Sequence, residues 1–382
     1  MRKKVLIMTG SYLPGVKGGG PIQSIKNLVN NLSYRIEFYI VTSDRDVGDN
    51  KPFPDVKTDE WLEVGEAKVL YTDVSNLTVN KTRDILNSIN FDVLYLNSFF
   101  SFKFSIVPII LKKFNQLSNK TIVLAPRGEF SSGALNLKNR KKKFFLKISK
   151  TMGLYKNITW HASAYQEKED IEKIFGEDNN IYVAKNLTAN YKELNYDKVI
   201  KKKKGELKIV FISRVHPKKN LKKALEFLNY VDGKVEFNIY GPIEDKLYWS
   251  ECEKKIAHLP QNIKVLYKGL VEHDQIISIF KKHHILLFPT LGENFGHVIS
   301  EALIGGCPVI ISNQTPWIGL EEKNIGWDIK LKDEVNFVNA LQYCVNMDNE
   351  EYKFMSKKAF HFGRENSNNQ EEIEKNFYLF TL

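Results

Sequence analysis

Short, nearly unbroken apolar runs recur along this chain and alternate with stretches of helical spacing. In the first half the runs are VLIMT (Val5–Thr9), IEFYIVT (Ile36–Thr42), KVLY (Lys68–Tyr71), DVLYLN (Asp92–Asn97), TIVLA (Thr121–Ala125) and ITWHA (Ile158–Ala162). In the second half they are LKIVFIS (Leu207–Ser213), VEFNIYG (Val235–Gly241), IKVLYKG (Ile263–Gly269), ILLFP (Ile285–Pro289), PVIIS (Pro308–Ser312) and GWDI (Gly326–Ile329). A strand apolar on both faces must be covered on both faces, so the pattern predicts βα units and parallel sheets sandwiched between helices.

A chain of 382 residues exceeds what one hydrophobic core usually supports. Between the two series of strands lies TANYKELNYDKVIKKKKGE, which is polar, charged and without periodic apolar residues. The expected division is therefore a domain over 1–187, a linker over 188–206 whose Lys201 to Lys204 are solvated, and a domain over 207–362. Cys252, Cys307 and Cys344 have no metal-like spacing, which suits a reducing cytoplasm. The apolar run of MRKKVLIMTG falls short of the roughly 7–15 residues of a signal peptide. The longest apolar stretch, Ser98 to Leu111, is broken by Lys103 and Pro108 and falls short of the ~20 residues that cross a bilayer.

The stretch GENFGHVISEAL, Gly292 to Leu303, follows the run Ile285 to Pro289 and passes from strand to helix. Gly296 admits close backbone approach, and the N–H groups of Gly296, His297 and Val298 open the helix N-terminus, where an anion is favoured. Glu293 in the loop and Glu301 about five residues into the helix stand roughly 7 Å apart along the axis. Two acceptors flanking an anion site suit two sugars flanking a diphosphate. A second strand–loop–helix stretch, FISRVHPKKNL (Phe211 to Leu221), sets Arg214 and Lys219 at the C-terminal end of a strand, the ligand-facing edge of an open α/β sheet.

These residues resemble the S-R-x4-K and E-x7-E motifs of the retaining glycosyltransferases of family 4. The resemblance is strong from about Leu207 to Ile329 and looser before it. It implies the GT-B fold: α/β, two Rossmann-like, doubly wound parallel-sheet domains facing a central cleft, with residues 363–382 as a C-terminal helix crossing back to the first domain. It assigns Arg214 and Lys219 to the donor diphosphate, Glu293 to the transferred sugar and Glu301 to the ribose. Asn294 and Phe295 fall inside the same nucleotide-sugar motif, and Gly241 and Tyr267 fall where the family holds nucleobase and ribose. No metal or other cofactor is implied.

In the first half, Gly18, Gly19 and Gly20 precede a helix; they are either a turn or a loop that lets backbone approach a ligand, and in the family this loop faces the donor diphosphate across the cleft. DVLYLNS carries Tyr95, Asn97 and Ser98 where many relatives have a His-x-His-Asp-like signature, so a histidine's role does not transfer; Asn97 offers hydrogen bonds to a sugar hydroxyl. Arg127 in APRGEF either meets a phosphate or an acceptor hydroxyl, or pairs with Glu129. KNRKKKFFLKISK, Lys138 to Lys150, sets four apolar residues among seven basic ones. It is read as an anionic membrane surface contact or as a helix with aromatics in the core. Trp317 is either a packing residue or a ligand contact.

The leading expectation is a cytoplasmic hexosyltransferase, peripheral on the inner face of the cytoplasmic membrane. It would move a hexose or N-acetylhexosamine, with retention, from a UDP-sugar in preference to a GDP-sugar. The acceptor would be a hydroxyl of a glycan or lipid-linked oligosaccharide in cell-surface polysaccharide synthesis. A nucleotide-sugar 2-epimerase or a sugar phosphorylase shares the architecture. The formal net charge of +11 also admits a nucleic-acid binder. Against that, only eight of the 56 basic residues are arginine, and no nucleic-acid module is recognisable.

Overall fold

The computed structural model describes residues 2–117, 120–131, 135, 139–191, 193–198, 200–367 and 369–382. The chain divides into two compact units, Met1–Ala189 with Asn369–Leu382, and Asn190–Asn368.

In the first unit, β1 (Lys3–Met8), β2 (Ile36–Ser43), β3 (Trp61–Val64), β4 (Ala67–Thr72), β5 (Val93–Asn97), β6 (Thr121–Ala125), β7 (Thr159–Ala162) and β8 (Asn180–Val183) form one sheet. Its order is β3-β4-β2-β1-β5-β6-β7-β8, and every pairing is parallel except β3 with β4. The apolar runs become its buried strands. The β3 strand was not expected: WLEV is an edge strand with alternate residues exposed, joined to β4 through Gly65 at φ 58°, as a tight hairpin turn requires.

In the second unit, β9 (Glu206–Ile212), β10 (Lys234–Tyr240), β11 (Ile263–Gly269), β12 (Ile285–Phe288), β13 (Val309–Ser312) and β14 (Gly326–Ile329) form an all-parallel sheet in the order β11-β10-β9-β12-β13-β14. Ile209, Val210 and Phe211 of β9 and Leu286, Leu287 and Phe288 of β12 are completely buried, as strands covered on both faces must be. The strand order reverses between β9 and β12 here, and between β1 and β5 in the first unit. Each reversal opens a crevice at the carboxyl ends of the strands, the natural ligand position in such a sheet.

Two expected boundaries move. From Asn190 onward, the stretch expected as a solvated linker belongs to the second unit. Lys198 Nζ donates to the carbonyl oxygens of Phe280 (2.6 Å) and His283 (2.7 Å), and Lys202 Nζ donates to those of Lys203, Val345 and Met347 (2.8, 2.9 and 3.1 Å). Ammonium groups set on carbonyls at helix C-termini satisfy acceptors the helices leave open. Burial pulls the pKa of Lys198 down to about 8 and lowers that of Lys202. Lys201, Lys203 and Lys204 stay exposed. The second boundary is at residue 363. Gly363 lies inside the helix Asn349–Asn366, where a Cβ would come within 2.6 Å of the Ile304 backbone nitrogen, so that helix stays on the second unit. The helix Gln370–Tyr378 belongs to the first unit: Ile373, Leu379 and Phe380 enter its core, and the Arg35 guanidinium stacks 3.3 Å from the Phe377 ring centroid.

Three histidines are buried in these cores. His161 has its pKa lowered to about 3, chiefly by burial and then by Arg127; His283 is lowered to about 4 and His284 to about 3, both chiefly by burial. Folded, they stay neutral where the unfolded chain, with an ordinary pKa near 6.5, takes up protons. Stability is therefore intact above about pH 6.5 and falls as pH drops through 6.5 toward 4, each histidine approaching about 1.4 kcal/mol per pH unit. Melting temperatures recorded between pH 7.5 and 5 should be level at the upper end and decline below about 6.5; a flat profile throughout would show that these side chains are charged or solvated.

Candidate functional site

The second unit's crevice is built by two loops, one after β9 and one after β12. Asn220, at φ 60°, donates from Nδ2 to Pro289 O (2.9 Å), and Leu291 N donates to Lys218 O (2.8 Å), so the loops are stitched together across the reversal. Lys219 closes the short turn Pro217–Lys219 and pairs through Nζ with Glu293 Oε1 at 2.6 Å, the side chains being 14% and 12% exposed. Thr290 Oγ1 donates to the same oxygen (2.9 Å). Arg214, from the same loop, pairs elsewhere: its Nη1 meets Glu244 Oε2 at 2.8 Å, with 37% and 41% exposure. The buried pair is a fixed element; the exposed one is easily exchanged for a ligand's charge.

Beyond Glu293 come Asn294 and Phe295, both half-buried, and then Gly296 at φ 80°, which caps the helix His297–Ile304. The first bond within that helix is Ile299 N to Gly296 O (2.9 Å). The amides of Gly296, His297 and Val298 therefore form its opening turn, the positive end of the peptide dipoles. Trp317 is a packing residue: buried, it donates from Nε1 to Phe295 O (2.6 Å) and holds the corner that leads into the helix. Glu301, one face further along, is buried and accepts at Oε1 from His273 Nε2 (2.8 Å). The Tyr191 hydroxyl, pushed up to about 12 by burial and by the charge of Glu301, lies near it.

Gly241, just past β10, sits at φ 124°, and a Cβ there would come within 2.0 Å of Ser213 O, so no side chain fits. Tyr267 OH donates to Gly241 O (2.8 Å), and its ring lies 4.8 Å from that of Trp249. His273 and Glu244 were missed in the sequence because each matters through a partner remote along the chain, and Thr290 because its hydroxyl bond to Glu293 depends on how the loop after β12 folds back.

In the first unit, Gly18 and Gly19 lead into the helix Gly20–Leu32. Buried Asp46 braces this loop, its Oδ2 accepting from Val16 N (2.8 Å) and Lys17 N (3.0 Å). Arg127, just past β6 with a left-handed φ of 57°, is held on three sides. Its Nε donates to Asn97 Oδ1 (2.6 Å), its Nη2 to Tyr95 OH (2.5 Å) and its Nη1 to Asn186 Oδ1. Tyr95 OH in turn meets His161 Nδ1 (2.8 Å), and His161 Nε2 faces Ala184 O (2.8 Å). A carbonyl only accepts, so Nε2 carries the proton and Tyr95 donates to Nδ1. Glu129 does not pair with Arg127; it accepts from Ser98 Oγ and from Phe99 N and Phe100 N.

Lys138 lies outside the described residues. The helix Asn139–Thr151 buries Leu146 and Ser149 and sets Phe145 against Phe99 (5.7 Å), whereas Phe144 is 68% exposed beside exposed Ile148, Lys141, Lys143, Lys147 and Lys150. Phe145 thus packs against the core and Phe144 does not. Among the described residues, no helix is long and apolar enough to cross a membrane. No group of three or more His, Cys, Asp or Glu side chains among them is arranged to hold a metal ion.

Residues 192–362 match the model of the glycosyl transferases group 1 family. An uncharacterized 41.2 kDa protein in the cps region of Klebsiella pneumoniae is 25% identical over 232 residues, 58% of this chain and 60% of that relative, so the chain spans about three fifths of its length. The whole chain superposes on 98% of the sucrose-phosphate synthase of Thermosynechococcus elongatus with a TM-score of 0.72 at 14% identity. It likewise superposes on all of Anabaena HepE, solved with UDP and glucose, with a TM-score of 0.69 at 14% identity. The family match falls within the second unit, and the two parallel-sheet units are those of the GT-B fold.

Proposed function

We propose that the protein is a retaining glycosyltransferase of the family 4 type that moves a hexose or N-acetylhexosamine from a UDP-sugar to a hydroxyl of a glycan or lipid-linked acceptor. The observation that carries the reading is the buried Lys219–Glu293 pair at the β9/β12 reversal, beside the glycine-capped helix. The donor diphosphate lies at the amides of Gly296, His297 and Val298, with Lys219 and Arg214 as its cations. Lys219 Nζ has three donors, of which Glu293 takes one. As the glycosidic bond breaks, charge gathers on the leaving diphosphate and these contacts strengthen, so they favour the transition state over bound substrate. Glu293 Oε1 is held by Lys219 and Thr290, and the other carboxylate oxygen receives a hydroxyl of the transferred sugar. Glu301 receives the ribose, with Gly241 and Tyr267 beside the base.

Gly18, Gly19 and Gly20 are assigned to the diphosphate, and Asn97 and Arg127 to the acceptor side, where Asn97 acts by holding the arginine. The cations and the helix terminus do the work of a metal ion, so the reading needs none. UDP is favoured because the nucleotide in Anabaena HepE is UDP, and cell-surface polysaccharide synthesis because a relative is encoded in a cps region. The acceptor would be met on the cytoplasmic side of a membrane, where the exposed Phe144 and Ile148 of the basic helix rest among anionic lipids.

A thermal-shift panel of UDP-, GDP- and ADP-sugars identifies the donor, since a ligand at 100 times its dissociation constant adds about 2.7 kcal/mol. With that donor, the product's anomeric configuration should match the donor's, and an epimer formed from donor alone would identify an epimerase instead. Lys219→Ala should lower turnover about 10²–10³-fold with little change in KM. A wild-type enzyme fully dependent on Mg²⁺ would overturn the metal-free assignment. In sedimentation with vesicles containing anionic lipid, wild type should pellet. Replacing Lys141, Lys143 and Lys147 by Gln should release it, at about 1 kcal/mol for each charge; equal pelleting of the variant would refute the membrane contact.

A further inference from the structure

Glu301 is assigned above to the donor's ribose, and what aims its carboxylate is on a different element. His273 opens the short turn His273–Gln275 that follows β11, and its Nε2 lies 2.8 Å from Glu301 Oε1; the two side chains are 22% and 11% exposed. A carboxylate only accepts, so Nε2 carries the proton and donates. Among the described residues, Glu301 Oε2 has no hydrogen-bond partner. One oxygen is thus tied down and the other is left to accept.

We propose that His273 is a positioning residue for nucleotide binding: it locks the rotamer of Glu301 so that Oε2 meets a ribose hydroxyl of the donor. The inference rests on the ribose assignment of Glu301. An unsupported glutamate loses side-chain entropy when it is recruited to a ligand, and a preformed bond removes that loss from the binding step. A planar ring with a single donor at Nε2 does this without taking the second oxygen, which a lysine's three rotatable donors would compete for. The bond also ties the turn after β11 to the helix His297–Ile304. The groove for the nucleoside is therefore set by two strand ends rather than by the E-x7-E helix alone.

The test is calorimetric titration of UDP, 2′-deoxy-UDP and 3′-deoxy-UDP into wild type, Glu301→Gln, His273→Leu and His273→Gln. Leucine fills the imidazole's space without a donor, and glutamine restores an N–H donor. Wild type should prefer UDP about tenfold over the analogue lacking the contacted hydroxyl. Glu301→Gln and His273→Leu should both collapse that preference toward unity, and His273→Gln should recover most of it. With the sugar donor, His273→Leu should raise KM while leaving kcat close to wild type. If Glu301→Gln collapses the preference and His273→Leu keeps it, the positioning role is refuted and the ribose assignment stands. If neither variant alters it, the ribose assignment itself is refuted. A His273→Leu protein that binds all three nucleotides equally badly, with glutamine restoring nothing, would make His273 a fold residue and also overturn the proposal.

Discussion

In the second unit β9 runs parallel to β12, with Ile209 opposite Ile285 and Val210 opposite Leu286, and its chemistry hangs on that pairing. Because both strands point the same way, the loops that follow them leave the sheet at the same edge. Because β10 and β11 are added outside β9 while β13 and β14 are added outside β12, the helices that follow diverge and leave that edge uncovered. Lys219 comes from one loop and Glu293 from the other, and an antiparallel pairing would have put them at opposite ends of the sheet. The apolar runs that build the two strands thus decide where the charges meet, although none of their side chains carries charge.

Setting a lysine against a glutamate in so dry a place is not a large source of stability. Desolvation of both groups offsets much of their attraction, and a hydrophobic pair of similar volume would serve the fold as well or better. The pair's value lies in its asymmetry: losing one member strands the other's charge, so the loops are held in register by the cost of separating them. The bonds from Asn220 to Pro289 O and from Leu291 N to Lys218 O hold the same two loops through neutral groups. Under the proposed function, a ligand's negative charge would meet a lysine already placed, which is the preorganisation that electrostatic catalysis needs.

How much of this was legible in the sequence follows from what each feature depends on. The central strands were read almost to the residue, because continuous burial leaves an unbroken apolar run; β5, β12 and β13, buried throughout, each differ from the expected run by one residue at one end. The edge strand β3 was not read, because a strand with one exposed face has no such run. Glu293, Gly296 and Glu301 were legible because they lie at fixed spacing within one strand–loop–helix unit, and Lys219 because it lies at fixed spacing within another. Glu244 beside Arg214 and His273 beside Glu301 were not, because a pairing across loops depends on strand order and leaves no local mark. The lysines at 198 and 202 misled for a related reason: what makes Lys202 structural is the set of carbonyls at the end of another helix, while Lys201 and Lys203 beside it are solvated.

The first unit shows the same rule with a different chemical outcome. Where many relatives carry a histidine near the end of the fourth strand of the parallel series, this chain has Tyr95 and Asn97, and both are spent on Arg127. The histidine that does stand nearby, His161 on β7, has no freedom to act as a base: it is buried, its pKa is lowered to about 3, and both ring nitrogens are engaged, by Tyr95 and by Ala184 O. The Tyr95 hydroxyl is likewise pushed up to about 12, so it stays protonated and passes its hydrogen to His161 while accepting from Arg127. The chain of bonds therefore moves no proton at neutral pH; it is a brace that ends in a guanidinium held at a strained, left-handed residue. Holding a cation in place by three side chains and a backbone it does not favour makes sense only if its position matters more than its contribution to stability. What this strand edge presents is accordingly a fixed positive charge, not a proton acceptor.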